Sequence, residues 1–455
     1  MPHYFQAAMF VQNIIFSPAV NFYHIDGVTA MITLFKKHIS RFIYVFVFKI
    51  SGAIATMYLY IMLSQSLGAA AIGQFYLAQS LITFATLVGL LGLGNAVIKY
   101  SSWLYEKNDF TLLNTLRRKA LGITFICSLI STFLIYFLAS NISVYFFKNP
   151  NLTVIIQWMS ISIIPFNIIA VFVSLFKGVQ KPIYATIFES LMLPTILLVF
   201  IFIFKSIVTV EFVAMLYSAA IILSCICIII VWNRTLPKSK KQNNELDDIK
   251  ILSTSLPLFW VAIMTFIMGF CDIIMLGIWH DDFVVGIYAT VVKVASVSTM
   301  FLVIANTLVS PKIAVFYKSG NWQSLRLLIK YSTYLMTLIA LVFLLLFGFY
   351  GAFILSFFGG EFLKGATSLM IYSIGQFFVL ATGPVAVVLM MTGKEKFHRN
   401  TVFLSLLLNI SLNYMLIPKY GAVGAAMATS ISLAIKNIIA AFYVNKLLYS
   451  KPLTN

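Results

Sequence analysis

The sequence predicts an all-α polytopic membrane protein, with twelve transmembrane helices in two parallel-repeat six-helix bundles. Three observations predict it. Long apolar runs of membrane-spanning size recur along 455 residues, of which 61% are hydrophobic and only 10% charged. Basic residues cluster in alternate connections between those runs. The two halves of the chain match one another at a near-constant shift.

Composition narrows the function classes. There is no soluble catalytic domain and no long loop, so any chemistry occurs within or beside a bilayer. A net charge of +18 would suggest nucleic acid in a soluble protein. Here it reads as cytoplasmic connections facing anionic lipid head groups, with no nucleic acid partner. Cys127, Cys225, Cys227 and Cys271 all fall inside apolar runs and lack the spacing of a metal site or a disulfide framework.

Residues 1–30 carry Pro2, Pro18 and Asp26 but neither the basic nor the apolar region of a signal peptide, and are expected to be an extension before a natural start at Met31, with an interfacial segment as the alternative. Helices are expected at about 42–63, 74–98, 120–147, 153–176, 183–204, 208–232, 253–279, 284–310, 328–357, 367–391, 400–417 and 421–446. With the N-terminus in the cytoplasm, most of the 31 Lys and Arg fall on the inner side, so both termini are expected there. The longest inner connection, residues 233–251, is polar and lysine-rich. It reads as a linker between a bundle at 31–232 and a second at 252–455.

The repeat rests on two shifts. A shift of 215 sets Lys177-Gly178 on Thr392-Gly393 and Ser190 on Ser405; a shift of 213 sets Gly73 on Gly286, Lys99 on Lys312 and Asn108 on Asn321. Six is even, so each half starts on the same side and the repeat axis lies along the membrane normal. Transporters of this design bind substrate between their halves.

The most distinctive stretch is Leu412–Thr429, LNYMLIPKYGAVGAAMAT. One apolar helix is expected to stop at Pro418, which lacks a backbone donor. The next opens with the small pairs Gly421/Ala425 and Gly424/Ala428, which allow close backbone packing in lipid. The string resembles the C-terminal signature of Wzx-type polysaccharide and lipid-linked oligosaccharide flippases, members of the MOP (MATE-like) exporter superfamily. Gly92-Leu93-Gly94-Asn95-Ala96 is similar to the end of their second helix, and Gly286-Ile287-Tyr288-Ala289 with Val309-Ser310-Pro311-Lys312 to their eighth. The helix count departs from that of the peptidoglycan lipid II flippases.

The resemblance implies a MATE-like fold and a transporter rather than an enzyme, with no cofactor. The cargo would be a polyprenyl-pyrophosphate-linked oligosaccharide unit, of O-antigen or capsule type, moved to the outer leaflet by alternating access. It also implies a bacterial inner membrane, with membrane lipids and polysaccharide polymerase or chain-length machinery as partners, and a cavity ringed by helices 1, 2, 7 and 8. A MATE-type multidrug or cation antiporter is the alternative. A membrane polymerase or ligase would need a substantial outer loop, which is missing.

Five ionisable residues fall within expected helices, and each needs water or a partner there, at about 2.5–3.5 kcal/mol otherwise. Lys49, Lys293 and Lys436 are candidate substrate-binding residues, and Asp272 and Glu189 candidate gating or ion-coupling residues. Each has a plainer reading. Lys49 snorkels to the inner interface, Asp272 and Lys293 form a structural ion pair, and Lys436 pairs with Glu189 or a helix end. Pro165, Pro194 and Pro384 are expected to bend their helices. His280-Asp281-Asp282 looks catalytic but sits where aspartates favour a helix start.

Overall fold

A computed structural model describes the backbone of residues 26–204, 209–236 and 248–449, and side chains over 43–204, 209–236, 255, 259–260 and 262–449. Residues 1–47 and 48–455 form separate compact units, and the second is described below. Most of the expected N-terminal extension and the middle of the expected linker lie outside the described residues.

The described residues are helical, in the order α1 (Asp26–Leu90), α2 (Leu93–Glu106), α3 (Phe110–Asn141), α4 (Leu152–Ser160), α5 (Ile163–Gly178), α6 (Pro182–Thr186) and α7 (Met192–Ile203). There follow α8 (Val210–Thr235), α9 (Asp248–Trp279), α10 (Asp282–Lys318), α11 (Trp322–Ser356), α12 (Ala366–Ala381), α13 (Val385–Met391) and α14 (Glu395–Tyr449). Among the described residues nine helices are long and apolar enough to cross a membrane, or ten with the bent pair α4–α5. Two of these, α1 and α14, are each two spans joined at a glycine, which restores the twelve expected.

Those glycines make the reversals. Gly68 has φ 78° and ψ 175°, and Gly421 has φ 52° and ψ −129°. Such backbone conformations are open to glycine and strained for residues with a Cβ. The expected stop at Pro418 is therefore corrected: the helix runs through Pro418 and turns at Gly421. Proline fixes a φ compatible with a helix and forfeits one hydrogen bond, whereas only Gly421 can reverse the chain. A Cβ on Gly424 would stand 2.3 Å from the Leu416 carbonyl oxygen, so the small residues do close the hairpin.

The other prolines act four residues upstream, where the ring meets a carbonyl. Pro165 follows the 42° bend between α4 and α5. Pro194 follows a π-helical turn at Ile187–Leu191 that contains Ser190, and Pro384 follows the end of α12 at Ala381. Pro311 lies inside an uninterrupted α10.

The buried centre includes Leu63, Ile72, Phe75, Leu116, Phe176 and Tyr288. Phe133 and Phe137 of α3, and Phe349 and Phe353 of α11, are exposed along faces that suit lipid contact. All four cysteines are free thiols.

Candidate functional site

A cavity of about 410 Å³ lies among the first, second, fifth, sixth and eighth spans. Three of the five singled-out residues line it: Lys49, Glu189 and Lys293. The expected ring of helices 1, 2, 7 and 8 is thus partly corrected, because spans five and six supply wall and, among the described residues, span seven supplies no lining residue. Span five reaches the cavity through its π-helical turn. That turn carries Glu189 and Ser190, and Ser190 meets Gly52 of the first span so closely that a Cβ there would lie 2.5 Å from the Ser190 carbonyl oxygen. An added residue in the ladder re-aims the side chains of this turn.

Lys293 is half-buried, with its ammonium 4.3 Å from the centre of the Tyr60 ring. Tyr60 stacks on Tyr76 at 5.2 Å, and its hydroxyl donates to Gln79 Oε1 at 3.2 Å. The ring is thereby fixed between a cation and a second aromatic, an arrangement in which its face attracts the ammonium. Tyr217 and Phe75 form the adjoining wall, edge to face at 5.8 Å. Among 22 tyrosines the sequence could not single these out.

The expected Asp272–Lys293 ion pair is not formed. Asp272 is 2% exposed and accepts from the Tyr288 hydroxyl, from Thr429 Oγ1 at 3.1 Å and from the Ile273 amide at 3.0 Å. Behind it Asn409 donates to Thr429, and Asn413 donates to Asn409. This buried network joins spans seven, eight, eleven and twelve, and turns Asp272 away from the cavity that Lys293 lines. Sequence reasoning missed Asn409 and Asn413, whose spacing of one helical turn within an apolar run was the available signal.

Glu189 does not pair with Lys436. Its partner is Lys177, at 2.9 Å, and both side chains are substantially exposed at 47% and 37%. Lys436 instead lines a separate cavity of about 400 Å³, walled by spans seven, eight, ten, eleven and twelve. Lys49 and Lys293 thus share one site and Lys436 belongs to another.

His280-Asp281-Asp282 is structural, as the helix-start reading expects. Asp281 caps α10 by accepting from the Val284 amide. Asp282 accepts from Gln74 at 3.0 Å and from Asn149, and His280 Nε2 lies 2.8 Å from the Ile417 carbonyl oxygen near the α14 turn. At the same end of the bundle, Glu361 accepts from the Ala69 amide at 2.8 Å, just after the Gly68 reversal. Among the described residues no group of three His, Cys, Asp or Glu is placed to hold a metal.

The arrangement is that of one end closed by tight backbone contacts and a cavity between the spans that carries two lysines. A family model described as "Polysaccharide biosynthesis protein" matches residues 39–316, more than half of the chain. The chain belongs to that family. A second model, MatE, matches residues 257–415. No curated protein matches the sequence significantly.

Solved structures share the family member's fold. The lipid II flippase MurJ in an inward closed conformation superposes with a TM-score of 0.72 at 17% identity, covering 89% of this chain and 87% of that one. An inward-facing multidrug resistance MATE transporter of the MOP superfamily gives 0.68 at 12%, covering 88% and 98%. A variant of the Vibrio cholerae MATE transporter VcmN gives 0.65 at 15%, covering 91% and 98%. The fold is therefore that of the MOP exporters, a multi-pass membrane architecture.

Proposed function

We propose that the protein is a flippase for polyprenyl-diphosphate-linked oligosaccharide units, carrying them from the inner to the outer leaflet by alternating access. The observation that carries this reading is the cavity with Lys49 and Lys293 on its wall, neither held in an ion pair among the described residues. A diphosphate loses its water on entering a bilayer, and lysine ammonium groups replace that hydration with charge-assisted contacts. The tyrosines around Lys293 offer an amphipathic wall to sugar while the lipid tail stays in the membrane.

On this reading the bundles at 31–232 and 252–455 are repeated halves that rock about the cavity. The end holding Gly68, Asp282 and Glu361 faces outward and is sealed, and the cavity opens inward. Lys49 and Lys293 bind the diphosphate, Glu189 with Lys177 guards the inner mouth, and Asp272 fixes the packing of the second half. The membrane would be a bacterial inner membrane with both termini cytoplasmic, and polymerase and chain-length proteins would receive the product.

A MATE-type antiporter for organic cations is the second reading, favoured by the MatE match over residues 257–415. Extraction of lipid-linked sugars from cells lacking the gene separates the two. Accumulated complete repeat units on the polyprenyl carrier, with surface polymer lost, support the flippase. An unchanged lipid pool with raised sensitivity to cationic dyes sinks it and supports the antiporter.

A further inference from the structure

The second cavity has a chemistry of its own. Its wall carries Lys436 and His398 together with the amides of Asn306, Gln376 and Asn437, and among the described residues no acid lines it. Asp272 stands behind the wall and not on it, with its oxygens engaged: Oδ1 accepts from the Ile273 amide and Oδ2 from Tyr288 and from the wall residue Thr429. Gln376 is only 7% exposed, and its Oε1 is buried without a hydrogen-bond partner, as are Asn306 Oδ1 and His398 Nδ1. A half-buried cation without an ion-pair partner among the described residues and a pair of unmatched amide oxygens are each unfavourable. One ligand resolves both. A half-turn of a carboxamide exchanges its O and N, so the amide positions serve equally as donors to an acceptor in the cavity.

We propose that this cavity is a binding site for a phosphate-class oxyanion, separate from the cavity of Lys49 and Lys293. Lys436 supplies the positive charge, acting as a lysine does toward phosphate, as a point charge on a mobile stem. Gln376 and Asn306 supply neutral donors that fix orientation. The volume of about 400 Å³ admits a phosphate with bound water or the glycerophosphate head of an anionic lipid. The two sources share one chemistry, and the assay tells them apart.

The test uses the purified full chain in detergent. Titration calorimetry with inorganic phosphate and native mass spectrometry with phosphatidylglycerol are run on the parent chain and on Lys436→Met, Lys436→Arg, Gln376→Leu and Lys293→Met. The expected result is one equivalent of at least one probe, weakened at least tenfold in Lys436→Met, about three- to tenfold in Gln376→Leu, and retained in Lys436→Arg and Lys293→Met. Phosphate binding with this pattern identifies a free oxyanion, and phosphatidylglycerol binding alone identifies a headgroup. Absence of binding for both probes overturns the proposal. So does binding by Lys436→Met equal to the parent, or a loss that arginine does not restore. Gln376→Leu keeps the proposal testable if Lys436→Met does not fold. Failure here leaves the flippase reading standing, since that reading depends on the other cavity.

Discussion

Gly73 and Gly286 meet through bare backbone. A Cβ on Gly73 would stand 1.9 Å from the Asp282 carbonyl oxygen, and one on Gly286 would stand 1.9 Å from that of Ala69. The contact is reciprocal, as expected where two copies of one element cross on a symmetry axis. Gly73 and Gly286 are 213 residues apart, and so are Ala69 and Asp282. Ala69 and Asp282 are each also held from outside the pair: Glu361 accepts from the Ala69 amide, and Asn149 donates to the Asp282 carboxylate. The reciprocal glycine contact supports the proposed repeat.

Neither glycine tolerates a side chain in this state, because backbone rather than a movable side chain occupies the space. Gly286→Ala is therefore expected to disfavour the closed end by more than about 3 kcal/mol, a shift of at least a hundredfold in a two-state equilibrium. A cysteine placed at Gln79 in a cysteine-free background reads this out. With Gly286 intact it is expected to resist an impermeant maleimide added outside cells, and with Gly286→Ala to react. Equal protection in both backgrounds would refute the gate.

Removing either cavity cation is expected to cost transport without unfolding the protein. Lys49→Met and Lys293→Met each forfeit charge-assisted contacts of about 1.5–3 kcal/mol, or roughly ten- to a hundredfold in rate. Tyr60 positions Lys293 through its ring, so Tyr60→Phe is expected to keep most activity and Tyr60→Leu to approach the loss seen for Lys293→Met. Measured flipping of lipid-linked sugar in vesicles, normalised to protein, checks the series. Activity retained in both lysine variants would rule out a cationic cavity.

The exposed Lys177–Glu189 pair carries a different expectation. Ion pairs open to solvent contribute about 0–1 kcal/mol, so Glu189→Gln is expected to leave thermal unfolding nearly unchanged. Asp272→Ala, by contrast, strands the Tyr288 and Thr429 hydroxyls in a buried site and is expected to destabilise by about 1–3 kcal/mol. Unfolding of both variants in detergent settles the ranking. Equal effects would mean that the buried network carries no special weight.

The helices and their number were legible because spanning length and apolar periodicity are properties of a local window. Lys49, Lys293 and Glu189 were legible as candidates because charge inside an apolar run is conspicuous. Their grouping was not. Whether Asp272 faces Lys293 or Tyr288 depends on the rotation of one helix against another, which a single sequence does not encode at visible spacing. Glu189 reaches the cavity through a π-helical turn, and one extra residue in a turn leaves no mark in composition. The repeat also shifts slightly on inspection. Asp109 and Asn321 both cap a helix start, accepting from Leu112 and Ser324, so the matching position to Asn321 is Asp109 rather than Asn108.

The signature hairpin offers the sharpest contrast between two neighbours. Pro418 sits within the helix and removes a single donor, so Pro418→Ala restores that bond and is expected to be neutral or stabilising by up to about 1 kcal/mol. Gly421 holds φ 52° and ψ −129°, a conformation that costs a non-glycine residue about 1–3 kcal/mol. Near it, His280 is held on the Ile417 carbonyl, so a shift of the turn also disturbs the junction with α9. Gly421→Ala is therefore expected to lower the unfolding temperature in detergent, and His280→Ala to lower it less. If Pro418→Ala proves the more damaging substitution, the reversal is governed by the proline and the turn is misassigned to Gly421.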